Sequence, residues 1–315
     1  MENDAFPAGP RKIGSYSEKI SPGEPSLCLI FPQKHCNFFS CVQRRLRGVS
    51  LHSNPLPSWC NTFMVQEQFQ FSIIVPTYNR PDRLSGFLEQ LTRMDYPRES
   101  FEVVLVDDGS EPPLQSIAER FRSRLRITYL RQNHGGVARG RQAGAEAAKG
   151  RFLAFTDDDC LPATDWLTRL EESLTAVADS AAGGRTLNGL PDNGFASASQ
   201  ALIGYLYAHL NCDPQHARFF ANNNMAMPRA LYLKIGGLDT TWPMCGEDRD
   251  LCDRWLTHGY PMIYVPGAIV HHFHDLNLRR FWRQHFNYGR GAYRFHKTAA
   301  SRKKTGIRLE GLWFY

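Results

Sequence analysis

Three adjacent carboxylates, Asp157-Asp158-Asp159, follow the apolar segment Arg151-Phe152-Leu153-Ala154-Phe155. Like charges this close repel, and burying any of them unpaired is costly. A cation held at a strand end relieves both penalties. Oxygen ligands without a Cys/His pair beside them suit Mg²⁺ or Mn²⁺, and such an ion suits a diphosphate. The competing reading is a solvated acidic turn that caps a helix starting near Ala163. A second acidic group, Glu247-Asp248-Arg249-Asp250, opens a helical segment that runs to His258. It can supply a general base, or simply favour the helix N-terminus through the dipole. A third, Asp107-Asp108-Gly109-Ser110, is either a ligand contact or an Asx-type turn. Gly135-Gly136 opens a further helix with Arg139 in its first turn, and a helix N-terminus with a guanidinium favours a diphosphate. The alternative for Arg139 is a surface position on a basic face. The Gly pair does not complete a G-x-G-x-x-G, which argues against a dinucleotide.

The elements that must position these groups alternate regularly. Phe71–Pro76, Phe101–Val106, Ile127–Leu130 and Phe152–Thr156 read as short buried strands. Between them, Arg80–Met94, Pro113–Phe121 and Gly135–Ala148 carry helical patterns. Such alternation predicts an α/β, doubly wound, mostly parallel sheet, in which ligands bind beyond the carboxyl ends of the strands. Thr77–Arg80, Asp107–Ser110 and Asp157–Asp159 all fall at such ends, so three polar clusters converge on one rim. The second half is more mixed. It offers helices over Trp166–Ala178 and Ser197–Leu210, a polar run Asn222–Asn224, a helix stop at Gly236-Gly237, strands Met262–Val265 and Ala268–Val270, and a basic helix from Leu278 to about His296.

The 315 residues suffice for one large α/β domain, and 42% hydrophobic with 22% charged residues is ordinary for a globular chain. No stretch approaches the roughly 18–20 apolar residues that span a bilayer. Net charge is +6, but Arg279–Arg308 holds ten Lys/Arg and no acid, so the last 37 residues carry +9 and the rest −3. A tail of that kind can meet phosphates, an anionic membrane surface or nucleic acid, or it is a solvated helix face. With the positive charge confined to one helix and no aromatic platform motif, no nucleic-acid partner is expected. Of the eight cysteines, Cys36 and Cys41 lack the second half of a zinc knuckle, and Cys160, Cys212, Cys245 and Cys252 read as free thiols of a cytoplasmic protein. Residues 1–66 show no period and no signal peptide. They read as an unstructured leader, with Met64 as the natural start. Residues 67–275 then form the main domain, and 276–315 a basic helical tail ending in the apolar Leu312-Trp313-Phe314-Tyr315.

The motifs Val75-Pro76-Thr77-Tyr78-Asn79-Arg80, Val106-Asp107-Asp108-Gly109-Ser110 and Asn133-His134-Gly135-Gly136-x-Ala138-Arg139 stand in order. After them come Thr156-Asp157-Asp158-Asp159, Gly237-Leu238-Asp239, Gly246-Glu247-Asp248-x-Asp250-Leu251 and His271-His272. This ordered set, covering about residues 70–295, resembles a family 2 glycosyltransferase of the GT-A fold. The resemblance implies a nucleoside-diphosphate sugar donor, UDP-linked, and a divalent metal, Mn or Mg. It implies that Thr77, Tyr78 and Arg80 line the base, that Asp108 bonds it with Asp107 in support, and that Arg139 meets the diphosphate. Asp157 then serves the ribose or the metal, Asp158 the nucleotide, Asp159 the metal, and His271 the metal or phosphate, with His272 the second choice.

The same resemblance implies inversion at the anomeric carbon, with Asp248 as base and Glu247 or Asp250 as the competing carboxylates. Arg280-Phe281-Trp282-Arg283-Gln284 departs from the Gln-x-x-Arg-Trp signature of processive members, which implies addition of a single sugar. The expected acceptor is a glycan, a lipid-linked group or a small molecule, as in cell-envelope polysaccharide synthesis. A peripheral contact at the inner membrane face is also expected. Two rival readings use the same sheet: a sugar-1-phosphate nucleotidyltransferase, which normally has a Gly-rich loop where this chain has Thr77–Pro81, and a non-catalytic sugar-nucleotide-binding module, against which both sets of carboxylates argue.

Overall fold

The computed structural model of the protein describes residues 69–242, 245–304 and 306. The leader and the apolar end at 312–315 lie outside them. One sheet of order β3-β2-β1-β4-β7-β6-β8-β5 organises these residues. Its first half is built from β1 (Phe69–Thr77), β2 (Phe101–Asp107), β3 (Ile127–Arg131) and β4 (Gly150–Phe155), all parallel. β1 and β2 are apolar and buried on both faces, as strands covered by helices must be. The second half is mixed. It contains β5 (Cys160–Pro162), β6 (Ala181–Asn188), β7 (Met225–Pro228) and β8 (Met262–His272). β7 runs antiparallel to β4 and β6, β8 parallel to β6, and β5 antiparallel to β8.

Alternate strand residues feed two cores. Phe71, Ile73, Val75, Val103 and Leu105 face α1 (Pro81–Leu91), α2 (Gln115–Phe121) and α4 (Trp166–Ala176). Ile74, Val104, Val106, Leu153 and Phe155 face α3 (Val137–Ala147), α6 (Arg229–Lys234) and α7 (Glu247–Thr257). α3 lies so close to β1 and β2 that a Cβ on Gly144 would stand 2.6 Å from Ile74 Cγ2 and 3.1 Å from Val106 Cγ2. Two further α-helices lie among the described residues: α5 (Gly194–Leu210), and α8 (Leu278–Lys303), which packs on α5 and α7.

The expected first-half elements form within a few residues of their predicted bounds. β5, β6 and β7 have no counterpart among the expectations, and of α6 only the stop at Gly236-Gly237 is expected. β5 and β7 are too short to display a period, and β6 opens Ala181-Ala182-Gly183-Gly184, with no large apolar side chain to signal a strand. Gly183 is small because the Phe220 ring fills its place: a Cβ would meet the ring at 2.1 Å. The two expected strands over 262–270 are one strand, β8, whose register against β6 shifts at Gly184/Arg185.

Candidate active site

The chain orders β2 and β3 on one side of β1 and then crosses to β4 on the other, so β1 and β4 flank a topological switch point, where open α/β sheets bind ligands. A hydrogen bond closes this gap: Thr77 Oγ1, at the end of β1, donates to Asp158 Oδ2 at 2.7 Å. Arg80 Nη1 donates to Asp158 Oδ1 and Asp159 Oδ2, both at 3.0 Å, and Arg83 adds a 3.4 Å contact to Asp159. Thr77, Arg80, Asp158 and Asp159 form one wall of a cleft of about 430 Å³. Tyr78, Asp108, His134, Arg141, Asn222, Glu247, Asp248, His272 and Tyr288 line the rest.

Asp107 and Asp108 divide the second cluster between two tasks. Asp107 is fully buried and accepts from Ser110 N at 2.8 Å, Leu114 N at 3.0 Å and Tyr129 Oη at 2.6 Å. Burial alone would raise its pKa, but these bonds outweigh burial and lower it. It fastens the turn and does not line the cleft. Asp108 does line it, and its oxygens accept from Gly135 N at 2.9 Å, Gly136 N at 2.8 Å and Gln132 Nε2 at 2.6 Å. At the mouth, the Tyr78 and His134 rings stack 4.2 Å apart. His134 Nδ1 lies 2.9 Å from Asp108.

Arg139 does not enter the cleft. It is exposed and folds over Gly135, where a Cβ would meet its Cδ at 2.9 Å. Helical periodicity is the reason. The buried face of α3 carries Ala138, Arg141 and Ala145, at steps of three and four, so the guanidinium that turns inward is Arg141. Arg141 is buried, pairs with Asp157, and reaches Glu247 Oε1 at 3.2 Å. It ties the acidic triplet to the start of α7.

His271 is likewise displaced, by strand alternation. It is exposed, whereas His272 shares the parity of the buried Ala268 and Val270 and faces the cleft. β5 follows the triplet directly and pairs antiparallel with β8, setting Cys160 opposite His272. Phe273 N donates to the Asp159 carbonyl at 2.8 Å, and His272 Nε2 lies 3.4 Å from Asp159 Oδ1. Burial alone would raise the Asp159 pKa, but the bond and charge of His272 and the charge of Arg80 hold it well below the ordinary range. Asp159, Cys160 and His272 offer ligand atoms close enough to share one ion. A carboxylate and an imidazole open to the cleft fit a Mn²⁺ or Mg²⁺ type ion. The fully buried Cys160 thiol does not fit, because burial pushes its pKa far up. The His274 ring lies tilted beside that of His272, 4.9 Å between centroids, and burial draws its pKa down to about 4. Asp158 is the carboxylate least free to bind a ligand. Burial raises its pKa to about 6 against the pull of Arg80, and Thr77 and Arg80 occupy both its oxygens.

At the start of α7, Gly246 adopts φ 103°, a left-handed conformation that favours glycine. Glu247 and Asp248 follow it into the cleft. Glu247 is buried and accepts from Arg141 and, at 3.4 Å, from Asn222 Nδ2. Burial is the main cause raising both pKa values, and the Asp248 charge raises Glu247 further. Asp248 is half-buried, with one oxygen accepting from Arg249 N at 2.8 Å. Asp250 points elsewhere, to Arg254 at 2.7 Å and Arg302 at 2.5 Å. The Asn222–Asn224 run also divides. Asn224 is structural, accepting from Trp166 Nε1 at 2.8 Å and donating to the Ala268 carbonyl. Asn222 lines the cleft, and its buried Oδ1 has no hydrogen-bond partner.

The model of glycosyl transferase family 2 matches residues 72–236, which include the switch point, the acidic triplet and Asn222. The chain belongs to this family. Among curated proteins it is similar to the validoxylamine A glucosyltransferase of Streptomyces hygroscopicus subsp. limoneus, 26% identical over 84% of this chain and 64% of that protein. Another is the poly(ribitol-phosphate) beta-N-acetylglucosaminyltransferase TarS of Staphylococcus aureus, 38% identical over 29% of this chain. The chain thus spans less than two thirds of these relatives' lengths, and only 16% in the case of TarS. Among solved structures it is similar to mannosyltransferase PcManGT from Pyrobaculum calidifontis in complex with GDP-Man and Mn²⁺. The TM-score is 0.61 at 20% identity, covering 84% of this chain and 71% of that one. It is also similar to S. aureus TarS 1–349 in complex with UDP-GlcNAc, with TM-score 0.53 at 20% identity, covering 68% and 61%. The fold of this family 2 member is therefore the GT-A fold.

Proposed function

We propose that the protein moves a single sugar from a UDP-linked donor to an acceptor hydroxyl with inversion. The observation that carries this reading is one cleft that joins the strand-end residues Thr77, Tyr78, Arg80, Asp108 and Asp157 to the pair Glu247 and Asp248. Tyr78 and His134 offer ring faces to the base at the mouth, and Asp108 holds the Gly135-Gly136 loop against it. Asp159 and His272 would hold the divalent cation, Mn²⁺ or Mg²⁺, which when bound offsets diphosphate charge. The orphaned Asn222 Oδ1 is an acceptor waiting for a donor sugar hydroxyl.

Asp248 takes the proton of the acceptor hydroxyl. The oxygen bonds to the anomeric carbon on the face opposite the nucleotide, and the bond to the diphosphate breaks to release the nucleoside diphosphate. Glu247 holds Arg141, and Arg141 holds Asp157, so base and nucleotide sides keep a fixed spacing. TarS, solved with UDP-GlcNAc, supports the UDP choice.

The acceptor belongs to a glycan, a lipid-linked carrier or a small molecule of the cell envelope, met at a membrane face. The support for a membrane face is α8, where Leu278, Trp282, Phe286 and Tyr293 are each more than 60% exposed and follow one stripe. Basic residues flank that stripe and no acid interrupts it, which complements an anionic bilayer. No helix among the described residues is long and apolar enough to cross a membrane.

A screen of nucleotide sugars with Mn²⁺ or Mg²⁺, following nucleoside diphosphate release, tests the reading. UDP release from a UDP-sugar is expected. Pyrophosphate release from a sugar phosphate and UTP would instead indicate nucleotidyl transfer, and turnover of no donor would overturn catalysis.

A further inference from the structure

Beside the cleft, and continuous with it, lies a second cavity of about 620 Å³. It shares Arg80, Asp159, Cys245, His274 and Tyr288 with the cleft. Four guanidinium groups line it, Arg80 and Arg83 from the start of α1 and Arg280 and Arg283 from the first turns of α8, against two carboxylates, Asp159 and Asp275. Among the described residues, not all of this positive charge is neutralised. Arg80 and Arg83 are committed to the acidic triplet. Arg280 reaches only the Asp275 carbonyl at 3.5 Å and its carboxylate at 3.9 Å, the outer limits of such contacts. Arg283 has no hydrogen bond or ion pair among the described residues.

We propose that this cavity binds a phosphate group carried by the acceptor. The proposal rests on the transferase reading above and names its acceptor class as phosphate-bearing. Planar guanidiniums a turn apart on one helix, facing others across a polar pocket, match the oxygens of a phosphate. The cavity opens to the cleft at Cys245, two residues before Glu247 and three before Asp248. A phosphate held there leaves a neighbouring hydroxyl of the same molecule on the side of the base. An uncharged acceptor would leave Arg283 without a counter-ion.

The test titrates glycerol 3-phosphate, and glycerol as its uncharged match, into the protein saturated with UDP and Mn²⁺, read by calorimetry. Glycerol 3-phosphate is expected to bind and glycerol not. Arg283→Gln should weaken that binding roughly tenfold, the order expected for one charge-assisted contact, and adding Arg280→Gln should weaken it further. UDP affinity, titrated separately into the same variants, should stay within about twofold. Both arginines are exposed, and thermal melts matching the wild type confirm folded variants. Phosphatidylcholine vesicles with phosphatidic acid separate the carriers: soluble and vesicle-borne phosphate should both lose binding in the double variant. Four outcomes overturn the proposal: no binding of the soluble probe, unchanged binding in the double variant, displacement by UDP of glycerol 3-phosphate bound beforehand to the UDP-free protein, or recruitment to vesicles alone. Displacement by UDP would assign the cavity to the donor diphosphate. Failure of the wild type to bind UDP would count against the donor reading, and the phosphate titration is read without it.

Discussion

Glu247 and Asp248 are neighbours in sequence, but the helix start gives one a buried arginine and leaves the other facing the cleft. Asp248→Asn is expected to lower transfer by roughly 10²–10⁴-fold, the range for loss of a positioned base, while UDP affinity measured by calorimetry survives. Near-wild-type turnover would end the assignment. The pH dependence follows from the same pair. Burial raises both carboxyls, and a base works only when deprotonated, so kcat/KM should rise with pH through an apparent pKa above the ordinary carboxylate range. A profile flat from pH 5 to 8 would contradict it. At this scale residue types were readable in the sequence and facings were not. The motifs brought a histidine and an arginine to the site, but strand parity selects His272 over His271 and helical periodicity selects Arg141 over Arg139. Both periods were present: Arg141 repeats with Ala138 and Ala145, and His272 with Ala268 and Val270.

Among the elements, α3 couples packing to chemistry. Its Gly144 abuts β1 and β2, and Arg141 lies on the same buried face one turn earlier. Gly144→Ala must push the helix off Ile74, and overpacking of this kind costs about 1–3 kcal/mol. A lower Tm is expected, and an unchanged Tm would show that the sheet yields without cost. The parallel half was readable because strands buried on both faces are unbroken apolar runs. The mixed half was not, since β5 and β7 are held by partners distant in sequence and β6 by the room that glycines leave for Phe220 and Asn224.

At the scale of the whole fold, the three most exposed aromatics among the described residues, Trp282, Phe286 and Tyr293, lie on α8, beside the cleft that Tyr288 of the same helix lines. Vesicles containing anionic lipid should recruit the protein at low salt, less so as salt screens the basic flanks, and Trp282→Ser with Phe286→Ser should weaken recruitment. Equal sedimentation with neutral and anionic vesicles would remove the membrane face from the proposal.

The β5–β8 pairing that delivers His272 to Asp159 also sets an order of assembly. The wall proposed to face the donor is made by β1, β2 and β4 and the turns between them, whereas the side proposed to hold the cation waits for a strand from the far end of the sheet-forming region. Contacts distant in sequence close late because their loops cost the most entropy. A refolding chain is therefore expected to regain protection of the β1 and β2 amides before it regains Mn²⁺ affinity. Simultaneous recovery of both would show that the two walls form as one unit.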